Sequence, residues 1–219
     1  MGTGAGAALT LLMVAPWGLR HVEFFRVRQV ELEGLRYLAP GRVVEALELA
    51  RDQNLFDPLG GVETRAEALD GVVSARIDRR LPATLRVTIV EKPAIAFAAG
   101  TDGLVPLDGE GKPLPYDPAA TGLDLPVVRR ADPALLGTLA RIRAADSTLY
   151  QAIDAASAGR DGTITLELGP RRLLVRALPA EAELRAIGVV RRHLTATSRP
   201  YVELDASYGG WVIARRGRS

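Results

Sequence analysis

Hydrophobic and polar residues alternate along three runs in the first half of the chain, and this period of two predicts three β-strands. The runs are Val27–Glu33, Val73–Asp78 and Leu85–Val90. Between the first and second runs, apolar residues recur at helical spacing in two stretches, one opened by Pro40-Gly41 and one from Val62 to Leu69. The order strand, helix, helix, strand, strand predicts one small folding unit.

Motifs at the ends of these elements are specific enough to indicate a family. They are Val30-Glu31-Leu32-Glu33-Gly34, Asn54-Leu55-Phe56, and the run from Ile77-Asp78-Arg79-Arg80-Leu81-Pro82-Ala83 to Glu91-Lys92-Pro93. In this order they resemble the POTRA domain of the FtsQ/DivIB family of bacterial cell-division proteins. The resemblance implies a POTRA domain at residues 25–93 with the element order β-α-α-β-β. It continues to Ala214 and is looser between Tyr116 and Gly162.

Strands and helices are interspersed in residues 94–219, which predicts a mixed β-sheet domain with two helices. Alternation predicts one hairpin around Gly109, another across Gly169-Pro170, a short strand at Leu125–Val128 and two final strands. The final strands are Tyr201–Leu204 and Trp211–Ala214. Helical spacing predicts one helix from Pro133 through Leu149 and a second containing Leu184 to Leu194. The fold class predicted for the whole chain is therefore α+β.

The amino terminus, residues 1–24, is predicted to be a short membrane-spanning helix. Gly2 to Leu19 carries no charge, and its eighteen residues would make a helix of about 27 Å. A buried core helix and a signal peptide are the alternatives. Arg20, Arg26 and Arg28 follow the segment, which by the positive-inside tendency favours an orientation opposite to the one the resemblance implies. Either the native chain starts upstream with a basic cytoplasmic tail, which is the explanation we favour, or the long exported domain overrides a weak charge bias.

Composition and charge narrow the possible functions. Apolar residues make up 47% of the chain and charged residues 25%, as in ordinary globular proteins. The net charge is only +2 and the two signs are interleaved, which argues against a nucleic-acid-binding surface. There is no cysteine, so disulfides, thiolate metal sites and cysteine nucleophiles are excluded.

No motif in the chain indicates catalysis. His21 and His193 are far apart and form no ligand pattern. Asp102, Asp108 and Glu110 lie near a glycine-rich turn but lack the ligand spacing of a calcium loop. The sequence therefore predicts a protein that is not an enzyme and uses no metal, cofactor or small-molecule substrate.

The last strand is the candidate interaction surface, because a terminal strand often lies at a sheet edge that another chain can extend. The residues predicted to bind a partner are Tyr201, Val202, Leu204, Tyr208, Trp211, Val212, Ile213, Ala214, Arg215 and Arg216. Arg215, Arg216 and Arg218 either guard this edge against aggregation or pair with acidic residues of a partner strand. Both possibilities are open at the level of the sequence.

The family resemblance implies a function and partners. It implies a single-pass protein of the inner membrane, mostly extracytoplasmic, that acts at the division septum as a scaffold between early and late division proteins. Its expected partners are an FtsB-like and FtsL-like pair and other membrane proteins of the divisome. Relatives carry a basic residue where this chain has Asp205, so a salt bridge of that residue cannot be transferred. In the POTRA domain, Arg79 beside Pro82 is expected either to brace the turn through its carbonyls or to contact a partner.

Two other functions are compatible with a POTRA domain. The first is a protein-translocation or outer-membrane assembly module that chaperones substrate strands, although such proteins usually carry several POTRA repeats or a long β-barrel. The second is a secreted structural domain without a dedicated partner.

Overall fold

The computed structural model describes residues 23–101 and 103–217. The chain forms two compact units that divide between Lys92 and Pro93. The predicted membrane segment lies outside the described residues except for its last two positions. Within the described ranges, no helix is both long enough and apolar enough to cross a membrane.

The amino-terminal unit contains a three-stranded sheet and two helices. Its elements are β1 (Gln29–Glu33), α1 (Pro40–Leu47), α2 (Gly60–Glu67), β2 (Val72–Arg80) and β3 (Thr84–Glu91), preceded by a 3-10 turn at Glu23–Phe25. The strand order is β1-β3-β2, with β1 parallel and β2 antiparallel to the central β3. Alternate residues of β3, namely Leu85, Val87 and Ile89, are buried against the helices, as the period of two predicted.

Two motif residues of this unit have clear structural roles. Gly34 has φ of +85°, and a Cβ added there would lie 2.1 Å from the carbonyl oxygen of Ile89. The carboxylate of Glu91 accepts hydrogen bonds from the backbone N–H groups of residues 36, 37 and 38 at 2.8 to 3.1 Å. Both contacts join the loop after β1 to strand β3.

Arg79 braces a different segment from the one predicted. Its guanidinium donates to the carbonyl oxygens of Leu55 and of Asp57, the latter at 3.0 Å. The expected contacts were with carbonyls of the turn that contains Pro82, an exposed residue between β2 and β3. The side chain instead ties β2 to the loop before α2, a long-range contact that the local sequence does not reveal.

The outer edge of β2 is covered by side chains. Glu63 and Glu67 of α2 accept hydrogen bonds from the backbone N–H groups of Ile77 and Ala75, at 2.8 and 3.4 Å. These carboxylates are bonded to the backbone N–H groups that a neighbouring strand would otherwise use.

The carboxy-terminal unit is an eight-stranded mixed sheet with helices. Its strands are β4 (Ala96–Ala99), β5 (Leu104–Leu107), β6 (Val127–Val128), β7 (Ala155–Ala158), β8 (Thr163–Leu168), β9 (Arg171–Arg176), β10 (Glu203–Ala206) and β11 (Ile213–Arg215). The helices are α3 (Pro118–Thr121), α4 (Pro133–Ala145), α5 (Ser147–Gln151) and α6 (Glu181–Ala196). The strand order is β11-β10-β9-β8-β7-β6-β4-β5. The predicted α+β class is confirmed.

The predicted helix from Pro133 through Leu149 is wrong in one respect. Asp146, with φ of −148° and ψ of 87°, ends α4, and its side chain accepts a hydrogen bond from the N–H of Leu149 to begin α5. The aspartate therefore stops one helix and caps the next.

The apolar side chains of α4 and α5 pack with those of the sheet in one core, where Tyr150 makes a buried polar contact. Its hydroxyl donates to the carbonyl oxygen of Ile95 at 2.7 Å. Burial raises the pKa of Tyr150 from 10.0 to about 12, because the phenolate loses its hydration, and the charge of Arg143 opposes this effect.

This raised pKa makes stability depend on pH in the alkaline range. The neutral phenol is favoured in the folded state, so its contribution is complete below about pH 10 and is lost as pH rises towards 12. We expect the free energy of unfolding to fall over this window by roughly 2 to 3 kcal/mol more in the wild type than in Tyr150→Phe. Urea unfolding of both proteins at a series of pH values measures this difference, and equal pH dependence in the two proteins would contradict it.

Candidate functional site

Strand β11 lies at one edge of the eight-stranded sheet. It pairs antiparallel with β10 on one side, in the register Glu203↔Arg215, Leu204↔Ala214 and Asp205↔Ile213. All three residues of β11 are exposed. Its outer side has no strand neighbour within the described part of the chain, so this side presents backbone groups to which another strand can bond.

The predicted start of the last strand is two residues too early. It was expected at Trp211–Ala214, but it begins at Ile213 and includes Arg215. Trp211 lies before the strand, where its N–H donates to the carbonyl oxygen of Tyr208 and 75% of the residue is exposed. The glycines at 209 and 210 place Trp211 in this turn, so aromatic character at that position does not mark a strand.

Of the ten residues predicted to bind a partner, two are buried, one is half-buried and seven are exposed. Tyr201 and Leu204 are buried in the core of the unit and offer little surface to a partner. Val212 is half-buried and packs against the same core. The exposed residues are Val202, Tyr208, Trp211, Ile213, Ala214, Arg215 and Arg216. The assignment of these exposed residues to partner binding stays a prediction.

Arg215 forms ion pairs with residues of the neighbouring strand in its own sheet. Its guanidinium nitrogens lie 3.0 Å from a carboxylate oxygen of Glu203 and 3.3 Å from one of Asp205. Asp205 is buried and also accepts hydrogen bonds from the N–H and hydroxyl of Ser207. The ion pairs therefore fasten β11 to β10, and Arg216 is the exposed arginine that follows.

Charges alternate across the four strands that end in β11. Register places Glu167 opposite Arg172, Arg172 opposite Glu203, and Glu203 opposite Arg215. Because side chains opposite each other on one face of a sheet interact, opposite signs favour this pairing of strands over a shifted one. Sequence reasoning missed the row because it depends on the registers of three strand pairs.

The described residues contain no cluster of three or more histidine, aspartate or glutamate side chains that could hold a metal ion. The arrangement at β11 consists of backbone groups, exposed apolar side chains and paired charges. Such a surface supports association with another polypeptide.

Comparison with known proteins finds similarity to bacterial cell-division proteins. The fold defines a protein in which a POTRA-type unit precedes a mixed β-sheet unit with an exposed edge strand. Residues 25–92 match the family model described as "POTRA domain, FtsQ-type". Together with the relatives below, this match confirms the resemblance to FtsQ-type proteins that was predicted from the sequence.

Three curated relatives carry the name "Cell division protein FtsQ". The protein from Mycobacteroides abscessus is 27% identical over 76% of this chain and 56% of its own length. The protein from Corynebacterium glutamicum is 26% identical over 75% of each chain. The protein from Zymomonas mobilis is 31% identical over 88% of this chain and 62% of its own length. The chain thus spans little more than half the length of the first of these relatives.

One solved structure with detectable similarity is the major extracytoplasmic domain of the cell-division protein DivIB from Geobacillus stearothermophilus. It is 17% identical, covers 48% of this chain and 96% of its own length, and has a TM-score of 0.33. A score this low supports no detailed comparison of the two folds.

Proposed function

We propose that this chain is a non-enzymatic scaffold protein of bacterial cell division that binds a partner protein by strand addition at β11. The position of β11 at the sheet edge is the observation that carries the proposal, because the strand is exposed along its length and pairs on one side only among the residues that the structure describes. The shared name of its three relatives supports the division role.

The partner proposed for this edge is an FtsB-like protein in complex with an FtsL-like protein, in agreement with what the family resemblance implies. Main-chain hydrogen bonds to β11 would supply affinity, and Ile213, Trp211 and Tyr208 would supply exposed apolar surface beside it. The proposed location is the inner membrane at the septum, with a single membrane span and the two described units outside the cytoplasm.

Two other strand edges are less suitable for an added strand. The edge of β2 is occupied by the carboxylates of Glu63 and Glu67. At the far end of the large sheet, β5 contains Pro106, which has no N–H, and the carbonyl of this proline already accepts a hydrogen bond from Leu114 at 2.8 Å. These contacts favour β11 over the edges of β2 and β5 as the acceptor of an added strand.

The covered edge of β2 counts against the alternative function at this edge, and β1 forms the opposite edge of the same sheet. A module that chaperones substrate strands by extending the POTRA sheet requires an accessible strand edge. Since Glu63 and Glu67 already bond the amides of Ile77 and Ala75, a substrate strand would first have to displace both carboxylates. The scaffold function requires no such displacement.

Binding of the soluble Phe25–Ser219 fragment to the extracytoplasmic part of its own FtsB-like and FtsL-like proteins tests the proposal. Ile213→Pro removes one backbone donor from β11 and fixes φ, so we expect affinity to fall by at least roughly tenfold, about 1.4 kcal/mol. Isothermal titration calorimetry measures the change. Ile213→Val, which keeps the N–H group and the β-branched shape, is the matched control and should bind within about twofold of the wild type.

Circular dichroism must show that Ile213→Pro keeps its fold. Unchanged affinity in a folded Ile213→Pro variant would place the binding surface elsewhere. If the wild-type fragment does not bind the pair at all, the proposed scaffold function itself is wrong.

A further inference from the structure

A cleft on the helical side of the carboxy-terminal unit is lined by basic residues. It lies between the last turns of α6 and the start of β9, and Tyr201 is part of its lining. Two adjoining cavities of about 420 Å³ and 150 Å³ form it, and both are lined by Arg171, Arg191 and Tyr201. Arg192 also lines the larger cavity, and Arg172 lines the smaller one. We call this feature the basic cleft.

The four arginines of the basic cleft have no carboxylate within 4.0 Å among residues 23–101 and 103–217. Other arginines of the same region are paired: Arg176 with Glu183 and Arg185 with Glu181. Asp146 also lines the larger cavity, but one of its oxygens is used to cap α5. The cleft therefore carries an excess of positive charge.

The dipole of α6 accounts for only part of the positive charge of the basic cleft. Basic residues near the carboxyl end of α6 offset the negative end of the helix dipole, which would explain Arg191 and Arg192. Arg171 belongs to strand β9 and has no such role. Its guanidinium lies 4.7 Å from the centre of the buried Tyr201 ring, a cation–π contact that holds the charge beside both cavities.

The shape of the basic cleft restricts which negatively charged partners can reach its arginines. A flat bilayer surface would reach the rims of two concave cavities, whereas an extended peptide can enter them. The smaller cavity is also lined by Ala152, Leu168 and Leu173, which can contact the methylene groups of a glutamate side chain. Guanidinium groups bind carboxylates through paired, charge-assisted hydrogen bonds.

We propose that the basic cleft binds an acidic peptide segment of a partner protein, with a carboxylate at Arg171 and Arg191 and a second near Arg192. The lining of the cleft comes from α5, α6, β8, β9 and β10 and includes no residue of β11, so the cleft is distinct from β11 and does not depend on strand addition there. The partner would therefore gain a second contact of opposite charge, one that weakens as salt increases.

The test uses the full 219-residue chain and a fluorescein-labelled hexaglutamate peptide, with hexaglutamine as the uncharged comparison. Fluorescence anisotropy at low and physiological salt measures binding. We expect hexaglutamate to bind and hexaglutamine not to bind. The double variant Arg171→Gln with Arg191→Gln should weaken hexaglutamate binding by roughly tenfold or more, because two charge-assisted contacts are lost.

The control removes the same charge from arginines that already have partners. Arg176→Gln with Arg185→Gln should change hexaglutamate affinity by less than about twofold. Equal weakening by both double variants would show attraction to net charge alone and would overturn the proposal. It would also be overturned if the chain ignored hexaglutamate but bound phosphatidylglycerol vesicles through Arg171 and Arg191. Hexaglutamate binding that survives Ile213→Pro would support the cleft independently of the edge strand.

Discussion

Replacing Gly34 by alanine is expected to destabilise the amino-terminal unit by at least about 3 kcal/mol. Gly34 has φ of +85°, a region where an L side chain is strained by roughly 1 to 3 kcal/mol. The new Cβ would also lie 2.1 Å from the carbonyl oxygen of Ile89, which is backbone of the central strand. Relief of that overlap requires β3 or the chain after β1 to move, and the buried side chains of β3 resist this movement.

Native-state hydrogen exchange of the full chain measures the effect. The amides of Val87 and Ile89 should lose protection by a factor of about 100 or more, since each 1.4 kcal/mol corresponds to roughly tenfold. Gly41→Ala is the matched control, because nothing lies within 4 Å of a Cβ added there. That variant should be neutral or more stable by up to about 1 kcal/mol. Similar protection in Gly34→Ala and Gly41→Ala would contradict the argument.

Glu91→Ala is expected to produce the second large effect, a loss of roughly 2 to 4 kcal/mol from the same unit. The variant removes the acceptor of three consecutive backbone N–H groups, those of Arg36, Tyr37 and Leu38. Hydrogen bonds to a charged group contribute about 1.5 to 3 kcal/mol each, and partial exposure of this loop allows water to replace some of them.

Glu91→Gln separates the role of the charge from that of the acceptor atom. The amide oxygen can still accept from the N–H of Leu38, which lies 2.8 Å from one carboxylate oxygen. The glutamine variant should therefore lose only about 1 kcal/mol, as the difference between charged and neutral hydrogen bonds suggests. Urea unfolding of the two variants beside the wild type tests this order, and a glutamine variant as unstable as the alanine variant would refute it.

The sequence predicted those parts of the fold that have local signals. Gly34, the helix-opening Pro40 and the alternation of Leu85, Val87 and Ile89 all report local backbone or packing requirements, so the first unit was predicted well. Strand β7 was missed because its sequence, Ala-Ala-Ser-Ala, has neither β-branched residues nor apolar alternation. It forms because strands β6 and β8 lie on both sides of it.

At the candidate site, local pattern was a poorer guide. The sequence indicated an edge strand near the carboxy terminus, but it could not show that Arg215 is held by Glu203 and Asp205. That contact depends on the antiparallel register of β10 with β11. Similarly, Tyr201 is directed into the core and lies under Arg171, which reaches it from a strand thirty positions earlier in the sequence.

The two glutamates that cover β2 have a consequence for crowded conditions. When many copies of a protein are concentrated on a small area, they collide with one another more often than with a partner. Uncovered strand edges of different copies would then pair with each other. With Glu63 and Glu67 over the amides of Ile77 and Ala75, two such edges brought together would also oppose four carboxylates. The β2 edges of neighbouring copies are therefore kept from pairing with each other.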